Sequence, residues 1–215
     1  MAKRILLFGD SNTWGFTPAT EVRYPEDVRW SGLVKKALGP DYEIIEEGLN
    51  GRTTVFEDPV RLYMNGYDYI GPCLLSHFPL DLVMIMLGTN DLKQRFGLNG
   101  WAIAEGVNRI IDIVKQVSAT TKDSGNPKIL VAAPILIGAK MDLSPYAAEF
   151  EGIKTHEMSK QLGPEIKRVA EAAGCEFIDA SQFAQPSDKD SIHMEPEGHA
   201  ALAKAMEAKF RAILG

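Results

Sequence analysis

Short apolar runs alternate with segments of helical period along this chain. Ile5-Leu6-Leu7-Phe8 is a continuous apolar run stopped by Gly9-Asp10, as expected of a strand covered on both faces. Asp27 offers an N-cap, and Trp30, Leu33, Val34, Ala37 and Leu38 then recur at helical spacing until Gly39-Pro40. Tyr42 to Ile45 reads as a second strand, and Leu82 to Leu87, halted by Gly88, as a third. Asn108 to Val117 sets Ile110, Ile111, Val114 and Val117 on one helical face. Ile129 to Ala133, closed by Pro134, is a fourth strand. Ile166, Val169, Ala170 and Ala173 mark a helix ending at Gly174, and Phe177-Ile178 a short fifth strand. Pro196 opens a last helix along Ala200, Leu202, Ala203, Met206, Phe210 and Leu214.

Such alternation predicts an α/β protein with a mostly parallel, five-stranded sheet and helices on both faces. At ~150 residues per domain, 215 residues suit a single domain spanning 1–215. Thr17 to Val28 and Met141 to Thr155 lack a clear period and read as long loops. In a compact α/β domain such loops usually wall a site or contact a partner. The net charge of −6 argues against nucleic acid and anionic membranes, which select a surplus of Lys and Arg. No segment reads as a signal peptide or a transmembrane helix. Cys73 and Cys175 form no C-x-x-C pair and read as free thiols of a reducing compartment. A cytoplasmic protein is expected.

In open parallel sheets the ligand site lies beyond the carboxyl ends of the strands. Gly9-Asp10-Ser11-Asn12-Thr13 follows the first strand, Gly48 to Thr54 the second, and Gly88-Thr89-Asn90-Asp91 the third. Asp190-Ser191-Ile192-His193 stands before the last helix. Brought to one rim, they supply the parts of an acyl-transfer site. Ser11 is the candidate nucleophile and His193 its base, because an imidazole titrates near neutrality. Asp190 can fold back onto the other ring nitrogen and fix its tautomer. The N–H groups of Ser11 and Gly51 and the amide of Asn90 are candidate oxyanion donors. Asp10 reads as a brace for the turn, and Asp91 as a structural cap.

These four blocks resemble the SGNH (GDSL-like) hydrolases, over essentially the whole chain. Arg29-Trp30, Glu46 to Leu49, Arg52-Thr53-Thr54 and Met86 to Asp91 are similar to the bacterial arylesterase/acyltransferase branch. The resemblance implies a three-layer α/β/α, flavodoxin-like fold, a metal-free Ser-His-Asp mechanism and a Ser/Gly/Asn oxyanion hole. It also implies a homo-oligomer that narrows the entrance of the site, for which the long segments Thr17–Val28 and Asp58–Tyr69 are candidates. Where the family usually has Leu after the nucleophile, this chain has Asn12, beside the expected position of the acyl group.

The expected reaction is hydrolysis of a small-molecule ester, with acyl transfer to an alcohol or peroxide as an extension if the pocket excludes water. A carbohydrate O-deacetylase is the nearest alternative. A non-catalytic, flavin- or phosphate-binding module is the rival from another class, since a loop such as Gly9 to Thr13 could cradle a phosphate. It leaves Asp190 and His193 without a task. Candidate pocket walls are Asn12, Trp14, Phe150, Ile153 and Ile192, with Phe16 weighed beside Trp14. His77, His156 and His199 show no metal-ligand spacing, and no cofactor is expected.

Overall fold

The computed structural model describes residues 2–215. Strands β1 (Lys3–Gly9), β2 (Tyr42–Gly48), β3 (Leu82–Met86), β4 (Lys128–Ala133) and β5 (Glu176–Asp179) form one sheet in the order β2-β1-β3-β4-β5. Every neighbouring pair is parallel, with Ile5 opposite Ile44 on one side and Leu82 on the other. This is the doubly wound order whose switch point lies between β1 and β3.

The helices are α1 (Ser11–Trp14), α2 (Trp30–Leu38), α3 (Gly66–His77), α4 (Gly100–Thr120), α5 (Gly152–Ser159), α6 (Leu162–Ala172) and α7 (Pro196–Leu214). Alternate residues of each central strand feed opposite cores. Ile5, Leu7, Leu82 and Met84 pack with Trp30 and Val34 of α2 and Leu202, Met206 and Phe210 of α7. Leu6, Phe8, Val83 and Ile85 pack with residues of α3, α4 and α6. Burial on both faces explains why these strands read as unbroken apolar runs. Among the described residues no helix is long and apolar enough to cross a membrane.

The structure departs from the sequence reading at α3, at α4 and in the stretch Met141–Thr155. Helix α3 was not legible, because Gly66, Gly71 and Pro72 lie inside it; burial of Ile70, Cys73 and Leu74 overrides poor intrinsic propensity. Helix α4 begins at Gly100, behind an Asn99 cap whose side chain accepts the Ala102 N–H at 2.9 Å. The stretch Met141–Thr155 contains a 3-10 turn at Met141–Leu143 and the first turn of α5.

Asp27 does not cap α2. The residue before the helix is Arg29, whose side chain makes no cap bond; instead His199 Nδ1, from α7, accepts the Trp30 N–H at 3.2 Å. An acceptor there must be neutral imidazole. Burial, with the charge of His193 second, lowers the His199 pKa to about 4. In the unfolded chain this histidine would protonate near its ordinary 6.5. The native state therefore loses stability as pH falls from 6.5 towards 4, by up to about 3 kcal/mol. His199→Gln keeps an acceptor without titrating. Between pH 7.5 and 4.5 its melting temperature should fall less than that of the wild type. Equal falls would remove His199 from the acid response.

Candidate active site

The carboxyl ends of the strands carry the site. Asp10 caps α1, its Oδ1 accepting the Asn12 N–H at 3.0 Å, and so lifts Ser11 onto the first turn of that helix. Trp30 holds the turn from behind by donating Nε1–H to the Asn12 carbonyl at 2.9 Å. Helix α1 sits so close to the end of β2 that a β-carbon on Gly48 would stand 2.3 Å from the Trp14 nitrogen. Burial raises the pKa of Asp10, against the opposing pull of the Asn12 N–H and the charge of His193.

His193 Nε2 lies 2.8 Å from Ser11 Oγ, and its Nδ1 lies 2.7 Å from Asp190 Oδ2. Asp190 Oδ1 accepts the N–H groups of Ile192 and His193, each at 2.9 Å. Burial pushes the Asp190 pKa up, but the bond and charge of His193 and these N–H groups outweigh it and leave a lowered pKa. The carboxylate is thus ionised at neutral pH and can hold Nδ1 as the donor, leaving Nε2 free to accept a proton from Ser11. Ser191, inside this turn, adopts φ +61°, a region that costs a non-glycine residue of order 1 kcal/mol. The turn is pinned by Gly138 N–H on the Ser191 carbonyl at 2.7 Å and by Ser144 Oγ–H on the Asp190 carbonyl at 2.6 Å. Phe16 stacks on the His193 ring with centroids 4.2 Å apart, and Tyr146 meets it edge-on at 6.1 Å.

Gly51 and Asn90 share the cavity with Ser11 and His193. Gly51 holds φ +90°, a left-handed conformation that aims its turn at the site and that side chains disfavour. Asn90 donates Nδ2–H to the Arg52 carbonyl at 3.1 Å, fixing its amide beside the Gly51 turn. Asp91 does more than cap: its Oδ1 accepts the Thr54 N–H at 2.9 Å and the Thr54 hydroxyl at 2.6 Å, tying the loop after β2 to the loop after β3. Burial raises its pKa to about 6. Arg52 lies buried over the Phe8 ring at 4.1 Å and donates to the Gly9 carbonyl at 2.8 Å and to the Glu47 carbonyl.

The cavity holds about 290 Å³. Of the expected walls, Phe150 and Ile192 line it. Three expected walls are corrected. Asn12 is buried and turned away, donating Nδ2–H to the Ile192 carbonyl at 3.2 Å. Trp14 packs with Phe16 and under the Arg23 guanidinium at 5.5 Å. Ile153 stands exposed on α5. The sequence reading missed a polar wall made by Glu21, Asn50, Arg61, Lys93, Tyr146 and Glu149. Glu21, Tyr146 and Glu149 lie in the two long loops that the sequence marked as candidate walls, Asn50 lies beside Gly51, and Lys93 lies three residues past Asn90.

The ligand atoms of Glu47, Cys73 and His77 lie within 4.8 Å of one another. This cluster is closed by its own bonds: His77 Nε2 meets Glu47 Oε1 at 2.9 Å, and Tyr69 donates its hydroxyl to Glu47 Oε2 at 3.2 Å. Its cation is Arg52, stacked 5.3 Å from the Tyr69 ring centroid. Burial, reinforced by the charge of Glu47, pushes the Cys73 thiol up to about 12. Both cysteines are free.

A hydroxyl bonded to an imidazole that is bonded to a buried carboxylate, beside amide donors and after successive strands of a parallel α/β sheet, defines a class of serine hydrolase sites. The chain belongs to the GDSL-like lipase/acylhydrolase family, whose model matches residues 7–201. Solved structures similar to it include Est24, a carbohydrate acetylesterase from Sinorhizobium meliloti, with 36% identity, a TM-score of 0.92 and coverage of 99% of this chain and 100% of that one. The native M. smegmatis aryl esterase is similar to the same degree, with 36% identity, a TM-score of 0.92, and 99% and 100% coverage. A carbohydrate acetylesterase family member from S. meliloti has 32% identity, a TM-score of 0.92, and 99% coverage of each chain. No curated protein matches this sequence. The protein is accordingly an esterase of the acylhydrolase type, and its sheet has the fold of the SGNH hydrolases.

Proposed function

We propose that the protein is a serine esterase for short acyl esters. The observation that carries this reading is the bonded series Ser11, His193, Asp190, at 2.8 and 2.7 Å, opening on the cavity beside Gly51 and Asn90. Ser11 Oγ attacks the ester carbonyl carbon while His193 Nε2 takes its proton. The carbonyl oxygen becomes an oxyanion received by the Ser11 and Gly51 N–H groups and the Asn90 amide. As the C–O bond to the leaving group breaks, the imidazolium returns the proton to that oxygen. Water, deprotonated by His193, then cleaves the acyl-enzyme and restores the serine.

A volume of about 290 Å³ lies at the lower end for ligand pockets and favours acetyl to butyryl groups. The charged wall bears on the competition between water and other acceptors. An acyl-enzyme flanked by Glu21, Arg61, Lys93 and Glu149 stays hydrated, which favours hydrolysis over transfer to an alcohol. The same wall, with the unpartnered carbonyl oxygen of the Asn50 side chain, suits an oxygen-rich leaving group such as a sugar. The two kinds of acetate ester are therefore tested together.

p-Nitrophenyl esters from acetate to octanoate, assayed beside acetylated sugars, should show kcat/KM falling steeply beyond butyrate. Added methanol should yield little methyl ester. Flat chain-length dependence would refute the small acyl site, and inertness toward every ester would end the esterase reading.

A further inference from the structure

We propose that Arg61 makes the site selective for esters that carry a carboxylate near the reacting carbonyl. The inference rests on the esterase reading above and adds the charge of the substrate to it. Arg61 belongs to the loop between β2 and α3, and its guanidinium folds over the Gly51 turn. Its Nη1 lies 3.0 Å and its Cζ 3.2 Å from where a β-carbon on Gly51 would stand. It therefore overhangs the glycine proposed to receive the oxyanion, inside the cavity that holds Ser11 and His193.

The charge balance of that wall singles Arg61 out. Lys93, buried at 3% exposure, pairs with Glu149 at 3.2 Å. Arg95 pairs with the same Glu149 and with Asp58, both at 2.8 Å. Two cations and two carboxylates close this network on itself. Arg61 has no carboxylate oxygen within 4.0 Å among the described residues; the Asp58 side chain reaches only its backbone N–H, at 3.3 Å. Glu21, the other acid of the cavity, is exposed and takes a hydrogen bond from the Tyr146 hydroxyl at 3.1 Å. The wall above Gly51 thus ends in one uncompensated guanidinium, a planar fork of donors that matches a carboxylate in two parallel bonds.

A guanidinium placed so close to the acyl site also has a reason to be unpaired in the free protein. An internal carboxylate would occupy the position that the substrate anion takes. The binding gain is made in both the ground state and the transition state, so it should appear mainly in KM.

The test uses matched pairs of esters that differ in charge. On the leaving-group side these are 4-acetoxybenzoate and 4-acetoxybenzamide; on the acyl side, the phenyl monoester of glutaric acid and its methyl-capped neutral form. The wild type should prefer the anionic member of at least one pair by about tenfold or more in kcat/KM. The preference should shrink in 1 M salt, where charges are screened beyond ~3 Å. In Arg61→Gln the anionic-to-neutral ratio should collapse towards one, and in Arg61→Glu it should invert. A wild-type ratio near one in both pairs, or a ratio unmoved by Arg61→Gln, overturns the proposal while leaving the esterase intact. A wild type that turns over none of the four esters instead fails the esterase reading itself.

Discussion

Ser11→Ala should lower kcat for p-nitrophenyl acetate by at least ~10⁴-fold and abolish labelling by a fluorophosphonate. The hydroxyl is the atom that would bond to the substrate carbon, and no other hydroxyl of the cavity approaches His193 as closely as the 2.8 Å of Ser11 Oγ. The amide cradle survives the substitution, so a residual rate of ~10³–10⁴ over water is compatible with the mechanism. The fold should hold, because the cap of α1 is made by Asp10 and the Asn12 N–H and not by the serine side chain. A variant that kept more than a tenth of the activity would place the nucleophile elsewhere.

Asp190→Asn should cost about as much, near ~10⁴-fold in kcat, for a different reason. The amide oxygen can still accept the Ile192 and His193 N–H groups that Asp190 Oδ1 holds at 2.9 Å. The turn is preserved. The amide nitrogen, however, is a donor facing His193 Nδ1 and favours the tautomer with the proton on Nε2, which cannot accept from Ser11. The defect should sit in kcat and leave KM nearly unchanged. Stability should change in an acid-dependent way. The carboxylate's pKa is lowered in the folded state, so its stabilising contribution is present above the unfolded value of about 3.8 and lost as pH falls through the folded one. Wild type and variant should therefore differ most in melting temperature near neutrality and converge at low pH. Full activity in Asp190→Asn would mean that the imidazole is oriented by something else.

β1 and β3 are buried on both faces and read as apolar runs, and the first and third site blocks begin where those runs stop. The second follows the half-buried β2, and the fourth, Asp190 to His193, was legible by its place before α7. Parallel order then brings the blocks to one rim. Helix α3 was hidden because Pro72 and Gly71 signal a break that packing overrides. The pocket walls were hidden by a different cause. They come from four loops, around Glu21, Arg61, Lys93 and Tyr146 to Phe150, that carry no period and meet only once the sheet has formed. Asn12 and Trp14 follow the nucleophile in sequence, but the first turn of α1 rotates one behind the site and the other towards Arg23. Adjacency along the chain was a poor guide to adjacency in the cavity.

The imidazole of His193 is wedged between the face of Phe16 and the edge of Tyr146. Rings on two sides oppose a swing of the imidazole between two stations during a turnover. Both proton deliveries must then pass through one nitrogen at one place, so the departing oxygen has to arrive where the serine proton left.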